Sequence, residues 1–344
     1  MYKKNYFNFK KFYNDYLLTN DLGKYTFINK KDFISLVHNE KVSKKAMLEL
    51  ECNQFVYENE KETFIDYTSQ MLKKYKSYLD TSTVLHIFVV SKTCNYNCIY
   101  CQAGNLNYKD EYFMTEETAK KAVDIAFESP SKILNFEFQG GEPLTNFKII
   151  KYIVEYSKEK NNLVHANEKK EIIYNIVSNL SLLNDEIIDF IKANDIYVCT
   201  SIDGDKELQN KNRPFKNGDS YDATINSLKR LQENKINASA LVTTTKYSLN
   251  KSKEIVDEYV KLGIDRICIR PLTNLGKAYQ NWKDISYTAE EFVEFYKQTL
   301  KYIIELNKKG IYLQEGMASI FLSKILNNDD VNYMELRSPC GAAI

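Results

Sequence analysis

From residue 84 onward, short apolar runs of β type alternate with stretches of helical period through six repeats, and that rhythm leaves few ways to fold. The runs are VLHIFVVS (84–91), LNFEFQ (134–139), IIYNIVS (172–178), IYVCTSI (196–202), INASALVTT (236–244) and DRICIRPL (265–272). Each has the length of a buried strand, and patterns such as TEETAKKAVDIAFES (115–129) supply helices between them. Strands separated by helices pair in parallel with right-handed crossovers, and the loops beyond their carboxyl ends are where such sheets place chemistry. Six units are too few to close an eight-unit barrel. The expectation is an α/β fold, a partial (β/α)6 barrel over residues 81–287. Residues 1–80, which mix β-type runs (DYLLTN, KYTFIN, NQFVYE) with helical pieces, are expected to form a small α+β module, and 288–344 to be mainly helical before the closing SPCGAAI.

With 344 residues, a sizeable core is available for one large domain with appendages. The 47 Lys and Arg almost cancel the 46 Asp and Glu, so no overall field favours nucleic acid or an anionic membrane. The opening MYKKNYFNFKKFYNDY is basic but has no apolar stretch of signal-peptide length, and nowhere do about 18 apolar residues run together. A cytoplasmic protein is the expectation. Seven cysteines, an odd number without a secretory signal, point to reduced thiols or metal ligands over a disulfide framework.

Three of those seven stand in CNYNCIYC, directly after the first strand. The spacing lets the thiolates of Cys94, Cys98 and Cys101 reach three corners of an iron–sulfur cubane, leaving one iron without a protein ligand. Zinc is the rival, but a closed zinc site takes four ligands, usually as two spaced pairs, and no second local Cys or His pair exists. Cys199 and Cys268 fall within apolar strand runs and read as small buried residues. His86, in the first strand, reads as a satisfied core residue, and no grouping suggests a Ser/His/Asp hydrolase.

The cysteine triplet, Tyr100 before its last member, and Gly140-Gly141-Glu142-Pro143 after the second strand together resemble the radical S-adenosylmethionine (SAM) superfamily. The resemblance covers about residues 84–272. It implies a [4Fe–4S] cluster whose open iron is chelated by the amino and carboxylate groups of SAM, and an electron from that cluster that splits the sulfonium into methionine and a 5′-deoxyadenosyl radical. For the SAM ammonium, GGEP offers the Glu142 carboxylate and glycine carbonyls that approach closely without a Cβ between. VSNLSLL (177–183) and SIDGDKELQNKNRP (201–214) are similar to SAM-binding stretches of the peptide-modifying branch. On that likeness Ser178 and Asn179 would meet the ribose, Ser201 would line the cofactor, and Arg213 would clamp the carboxylate as a fork. Where many relatives carry His-Asp before that arginine, this chain has Gln209 and Asn210.

RSPCGAAI resembles the opening of a SPASM extension, with Cys340 as the first ligand to auxiliary clusters whose other ligands would lie beyond Ile344. YLLTNDLGKYTFINKKDFISLV (16–37) and LHIFVVSKTCNYNCIYCQA look like the His-Xaa-Ser system radical SAM maturases. These likenesses imply a maturase acting on a ribosomal precursor peptide or small protein, reduced by a flavodoxin or ferredoxin, with residues 1–80 as a winged-helix module that holds a leader. The alternative is a non-catalytic iron–sulfur or zinc protein, for binding or electron transfer, on the same fold.

Overall fold

A computed structural model describes residues 2–57, 61–75, 83–103 and 112–327. Cys340 and the SPASM-like end lie outside the described residues. The chain divides into two compact units, Met1–Thr81 with Ile320–Ile344, and Ser82–Ser319.

The first unit contains β1 (Lys3–Lys4), β2 (Asn8–Phe12), β3 (Asp15–Thr19), β4 (Tyr25–Asn29), α1 (Lys30–Val37), α2 (Lys44–Cys52), β5 (Val56–Tyr57) and α3 (Lys61–Tyr75). β2, β3 and β4 form an antiparallel meander, and β1 pairs with β5. The strand alternation is clearest in β4, where Thr26 and Ile28 are buried and Tyr25 and Phe27 exposed. Leu18, Ile28, Leu36, Leu50 and Phe55 make the core of this unit. Asn29 and Ser43 start α1 and α2 by accepting hydrogen bonds from the backbone N–H groups of Asp32 and Ala46.

The second unit runs β6 (Leu85–Ser91), α4 (Glu116–Glu128), β7 (Ile133–Gly140), a 3₁₀ turn (Pro143–Asn146), α5 (Phe147–Leu163), β8 (Glu171–Val177), α6 (Asp185–Ala193), β9 (Tyr197–Ser201), α7 (Lys206–Asn212), α8 (Ser220–Glu233), β10 (Ala238–Thr243), α9 (Ser252–Lys261) and β11 (Arg266–Arg270). Then come α10 (Lys277–Gln280), α11 (Trp282–Ile285), α12 (Ala289–Lys308), β12 (Gln314–Glu315) and the start of α13 (Gly316–Asn327), whose residues from Ile320 on are counted with the first unit. One parallel sheet takes the order β12-β11-β10-β9-β8-β7-β6. The six expected strands are present in the expected order, and the two-residue β12 adds a seventh at the edge. This is the partial (β/α)6 barrel.

Each strand buries alternate residues under the helices, as Phe136 and Phe138 of β7 and Val198 of β9 do against α4, α5 and α6. A second cluster joins Val242, Ile267 and Ile269 to Ile255 and Tyr259 of α9 and Phe295 of α12. The intervening residues face the other way, and many keep solvent contact there: Leu85, Ile87 and Val89 of β6 and Tyr197 of β9 are all exposed. The barrel's inner face is thus a mixed apolar and polar wall, exposed along β6 and at Tyr197. Among the described residues, no helix is long and apolar enough to cross a membrane.

Candidate active site

The carboxyl ends of β6 to β9 converge on the cysteine loop. Gly141 N donates to Ser91 O (2.8 Å) and Glu142 N to Thr93 O (2.7 Å), so the GGEP turn and the start of the cysteine loop are one hydrogen-bonded piece. The fit depends on the missing side chains, since a Cβ on Gly140 would lie 2.1 Å from Ser91 O and one on Gly141 2.2 Å from Thr93 O. Pro143 opens the following 3₁₀ turn, for which Glu142 is the cap.

The loop is held from two further directions. Asn97 N donates to Pro214 O (2.7 Å) and Ile99 N to Asn212 O (2.9 Å), which fixes it to the segment after β9. From the far edge, Lys277 N donates to Cys101 O (2.9 Å) and Asn281 Nδ2 to Ile99 O (2.8 Å). Lys277 Nζ also donates to Asn97 Oδ1. These last contacts close the mouth of the barrel across nearly 180 residues of sequence, and nothing in the local pattern of 273–281 signals them.

Burial pushes the Cys94 thiol up to about 12 and the Cys98 thiol to about 11, the latter against the pull of Arg213. Tyr96 N donates to Cys94 Sγ (3.4 Å), and Asn179 Nδ2 lies 3.8 Å from the same sulfur. Among the described residues no three Cys, His, Asp or Glu side chains converge closely enough to share one metal ion. A mononuclear zinc site gathers its sulfurs at about 2.3 Å from one centre. The cysteine loop offers three soft, half-buried donors beside a fixed cation, which suits a cluster that takes each sulfur at a separate iron.

Glu142 differs from the expectation drawn from its sequence position. Its side chain is buried, and its carboxylate accepts from Ser178 Oγ (2.7 Å), Asn179 N (2.8 Å) and Leu144 N (3.1 Å). Burial raises its pKa, with those three bonds opposing the rise. The carboxylate therefore stitches the loop after β7 to the loop after β8. Ser178 is committed likewise, since its hydroxyl also accepts from Leu180 N (2.9 Å). Asn179 donates to Asn95 Oδ1 (2.9 Å) and accepts from Ser181 N and Oγ, so both residues brace the cysteine loop. Ser201, by contrast, ends β9 on the inner face, and its hydroxyl makes no hydrogen bond among the described residues.

Arg213 belongs to a buried triad that the sequence did not disclose. Its Nε donates to Tyr100 Oη (2.7 Å), and Tyr100 Oη donates to Asp203 Oδ2 (2.6 Å). Burial opposes the guanidinium charge, but Tyr100, Cys98 and Asp203 outweigh it and hold the pKa well above its usual value. With Nε so engaged, the two terminal amino groups make no hydrogen bond or ion pair among the described residues. Replacing Tyr100 with phenylalanine would leave a buried donor and a buried acceptor unmatched, which costs about 1 to 3 kcal/mol. The denaturation midpoint of Tyr100→Phe should fall accordingly, and a midpoint equal to the parent's would remove the triad's bracing role.

Gln209 and Asn210 are structural. Gln209 accepts from Asp203 N (2.7 Å) and donates to Ser201 O (3.1 Å), while Asn210 Oδ1 accepts from Ser220 Oγ and Tyr221 N. His86 is half-buried and packs edge-on to Phe136, and its Nε2 has no hydrogen-bond partner among the described residues. Cys199 and Cys268 are only half-buried, and they sit on the strand positions that face the barrel interior, not the helix-packed core. Alternation within a strand cannot tell those two faces apart when both carry small or apolar residues.

The profile of the Radical SAM superfamily matches residues 88–257. An uncharacterized protein of Methanocaldococcus jannaschii is 39% identical over 175 residues, 51% of this chain and 56% of that protein. The radical SAM cyclopropyl synthase TigE of Paramaledivibacter caminithermalis is 26% identical over 63% of this chain and 45% of its own length. The chain thus spans about half the length of these relatives. Among solved structures, native anSMEcpe with bound AdoMet and Kp18Cys peptide shares the fold with a TM-score of 0.62 at 20% identity, covering 72% of this chain and 67% of that one.

Proposed function

Because residues 88–257 are a domain of the Radical SAM superfamily, we propose that this chain cleaves SAM reductively and abstracts hydrogen from a peptide or small protein, as a peptide maturase. The observation that carries the reading is the joining of cysteine loop, GGEP turn, Ser178-Asn179 and Arg213 into one hydrogen-bonded rim at the carboxyl ends of the barrel strands. Cys94, Cys98 and Cys101 would hold a [4Fe–4S] cluster, which when bound supplies the electron for sulfonium cleavage and an open iron for SAM. The Gly141 carbonyl, which accepts no hydrogen bond among the described residues, is left as an acceptor for the SAM amino group now that the Glu142 carboxylate is committed. The terminal amino groups of Arg213 would take the SAM carboxylate, and the Ser201 hydroxyl would serve a ribose. A flavodoxin or ferredoxin would be the reductant.

Two relatives support the substrate class: TigE is named a cyclopropyl synthase, and anSMEcpe binds a peptide together with AdoMet. The N-terminal unit offers a way to hold such a peptide. Among the described residues β2 pairs only with β3, which leaves its outer edge open, and Phe9 within it is 58% exposed. A leader peptide added there as a further strand would satisfy that edge. The remaining ligands of auxiliary clusters, with Cys340 as the first, belong to the same proposal.

The test uses uniformly deuterated versions of the small peptides encoded beside the gene, incubated anaerobically with reconstituted protein, SAM and dithionite. Deuterium should pass into 5′-deoxyadenosine. If 5′-deoxyadenosine forms without deuterium for every such peptide, hydrogen abstraction from peptides is wrong while SAM cleavage stands.

A further inference from the structure

Lysine is this chain's default cation: of 47 basic residues only five are arginine, at 213, 230, 266, 270 and 337. In such a background an arginine marks a place where a planar fork does something an ammonium does not. Arg230 fits that rule, with Nη1 on Leu183 O (2.9 Å) and Nη2 on Asp185 Oδ1 (2.6 Å), and Arg213 fits it through Tyr100. Arg270 has no carboxylate or carbonyl partner of that kind and lies against the Cys268 thiol, two residues back on the same face. It makes no ion pair among the described residues, and it is exposed at the carboxyl end of β11.

Its direction is set by the strand. Ile267 and Ile269 are buried against α9 and α12, so Arg266, Cys268 and Arg270 project from the opposite, inner face. Arg266 stands at the start of the strand, about 13 Å from Arg270 at the usual rise per residue. Arg270 alone is at the chemical end. Its carbonyl accepts from Thr244 N (3.1 Å) and Thr244 Oγ1 (2.8 Å), which fixes the backbone there, and the chain that follows reaches the Cys101 carbonyl at Lys277.

The opposite wall carries the other sign. Glu137 projects inward from β7 and accepts a hydrogen bond from Gln139 Nε2. Cys199, on β9 between the two walls, registers both: burial raises its thiol pKa, with Arg270 lowering it and Glu137 raising it. Arg270 and Glu137 therefore share one interior without being paired to each other.

Resting on the peptide reading above, we propose that Arg270 holds a carboxylate of the substrate against the β11 wall, so that the residue to be modified lies beside an acidic side chain or a free carboxyl terminus. A guanidinium whose neighbour is a weakly accepting thiol and no carboxylate has donors left to take a carboxylate by two parallel hydrogen bonds. SAM has a carboxylate too, but the reading above gives that one to Arg213 beside the cysteine loop.

The experiment pans the reconstituted full chain with SAM, under anaerobic conditions, against two random pools of short synthetic peptides, one amidated at the carboxyl terminus and one with it free. Wild type should enrich Asp or Glu over Asn or Gln at one position of the amidated pool, or the free-acid pool over the amidated one, by about tenfold or more. The first result identifies a side chain as the source and the second a terminus. Arg270→Gln should lose the preference and Arg270→Lys keep part of it, with iron content checked in each variant. No acidic preference in wild type, or one that survives in Arg270→Gln, would overturn the proposal. The enriched peptides, remade with deuterium, separate the two readings. Acid preference without deuterium transfer keeps this site and removes hydrogen abstraction; transfer without acid preference does the reverse.

Discussion

Exchanging Cys98 for alanine is expected to leave a folded protein without a cluster. On the proposed reading Cys98 would be the middle ligand of a loop that supplies three, and its thiol is held up to about 11 by burial, so iron would have to offset the cost of ionising it. Two remaining cysteines cannot occupy three corners. Iron and sulfide per chain should drop to the level of unreconstituted protein, and the charge-transfer absorption of a cluster should vanish, while the helical circular dichroism stays near the parent's because the barrel core does not depend on Cys98. Full iron with an unchanged spectrum would show that the ligands are elsewhere.

The second large effect is expected at Gly276, a residue with no chemistry of its own. Its backbone sits at φ 56° and ψ −127°, the first central position of a type II′ turn, which glycine alone adopts readily. A Cβ there would come 2.4 Å from Cys101 O and 2.5 Å from Gln102 O. Both atoms are backbone, so no side chain can swing aside. Backbone strain of this kind costs about 1 to 3 kcal/mol before any overlap is counted. Gly276→Ala should therefore lift the 275–277 turn off the cysteine loop, remove the Lys277 N to Cys101 O bond, and make the cluster labile. Iron retained after desalting should fall severalfold relative to wild type. Iron retention and thermal stability equal to the parent's would show that the turn does not brace the loop.

The barrel was legible because its six strands are compact apolar runs separated by helices with clear starting residues, such as Thr115, Asn184 and Thr288. β2 was not legible, since NFKKF exposes every residue and shows no buried period, and the two-residue β12 is too short to carry one. The cysteine triplet and GGEP announce themselves because their spacing is local. The parts that hold them in place do not, because they are made by pairs far apart in the chain: Tyr100 with Asp203 and Arg213, Asn281 with Ile99, and Gly276 against Cys101. Residue type also left one contact set unannounced. A glutamate beside two glycines reads as an acceptor for an ammonium, and its place in the sequence does not announce the three donors from the loops after β7 and β8 that hold the Glu142 carboxylate. Hydrogen bonds between consecutive strand ends leave no periodic mark in sequence.

The most direct test of the central claim is the formation of 5′-deoxyadenosine from SAM. Protein reconstituted anaerobically with iron and sulfide, then given SAM and dithionite, should release 5′-deoxyadenosine and methionine in equal amounts, and should release neither when dithionite is omitted or when Cys98 is alanine. A protein that carries its full complement of iron, binds SAM, and still produces no 5′-deoxyadenosine would contradict the account.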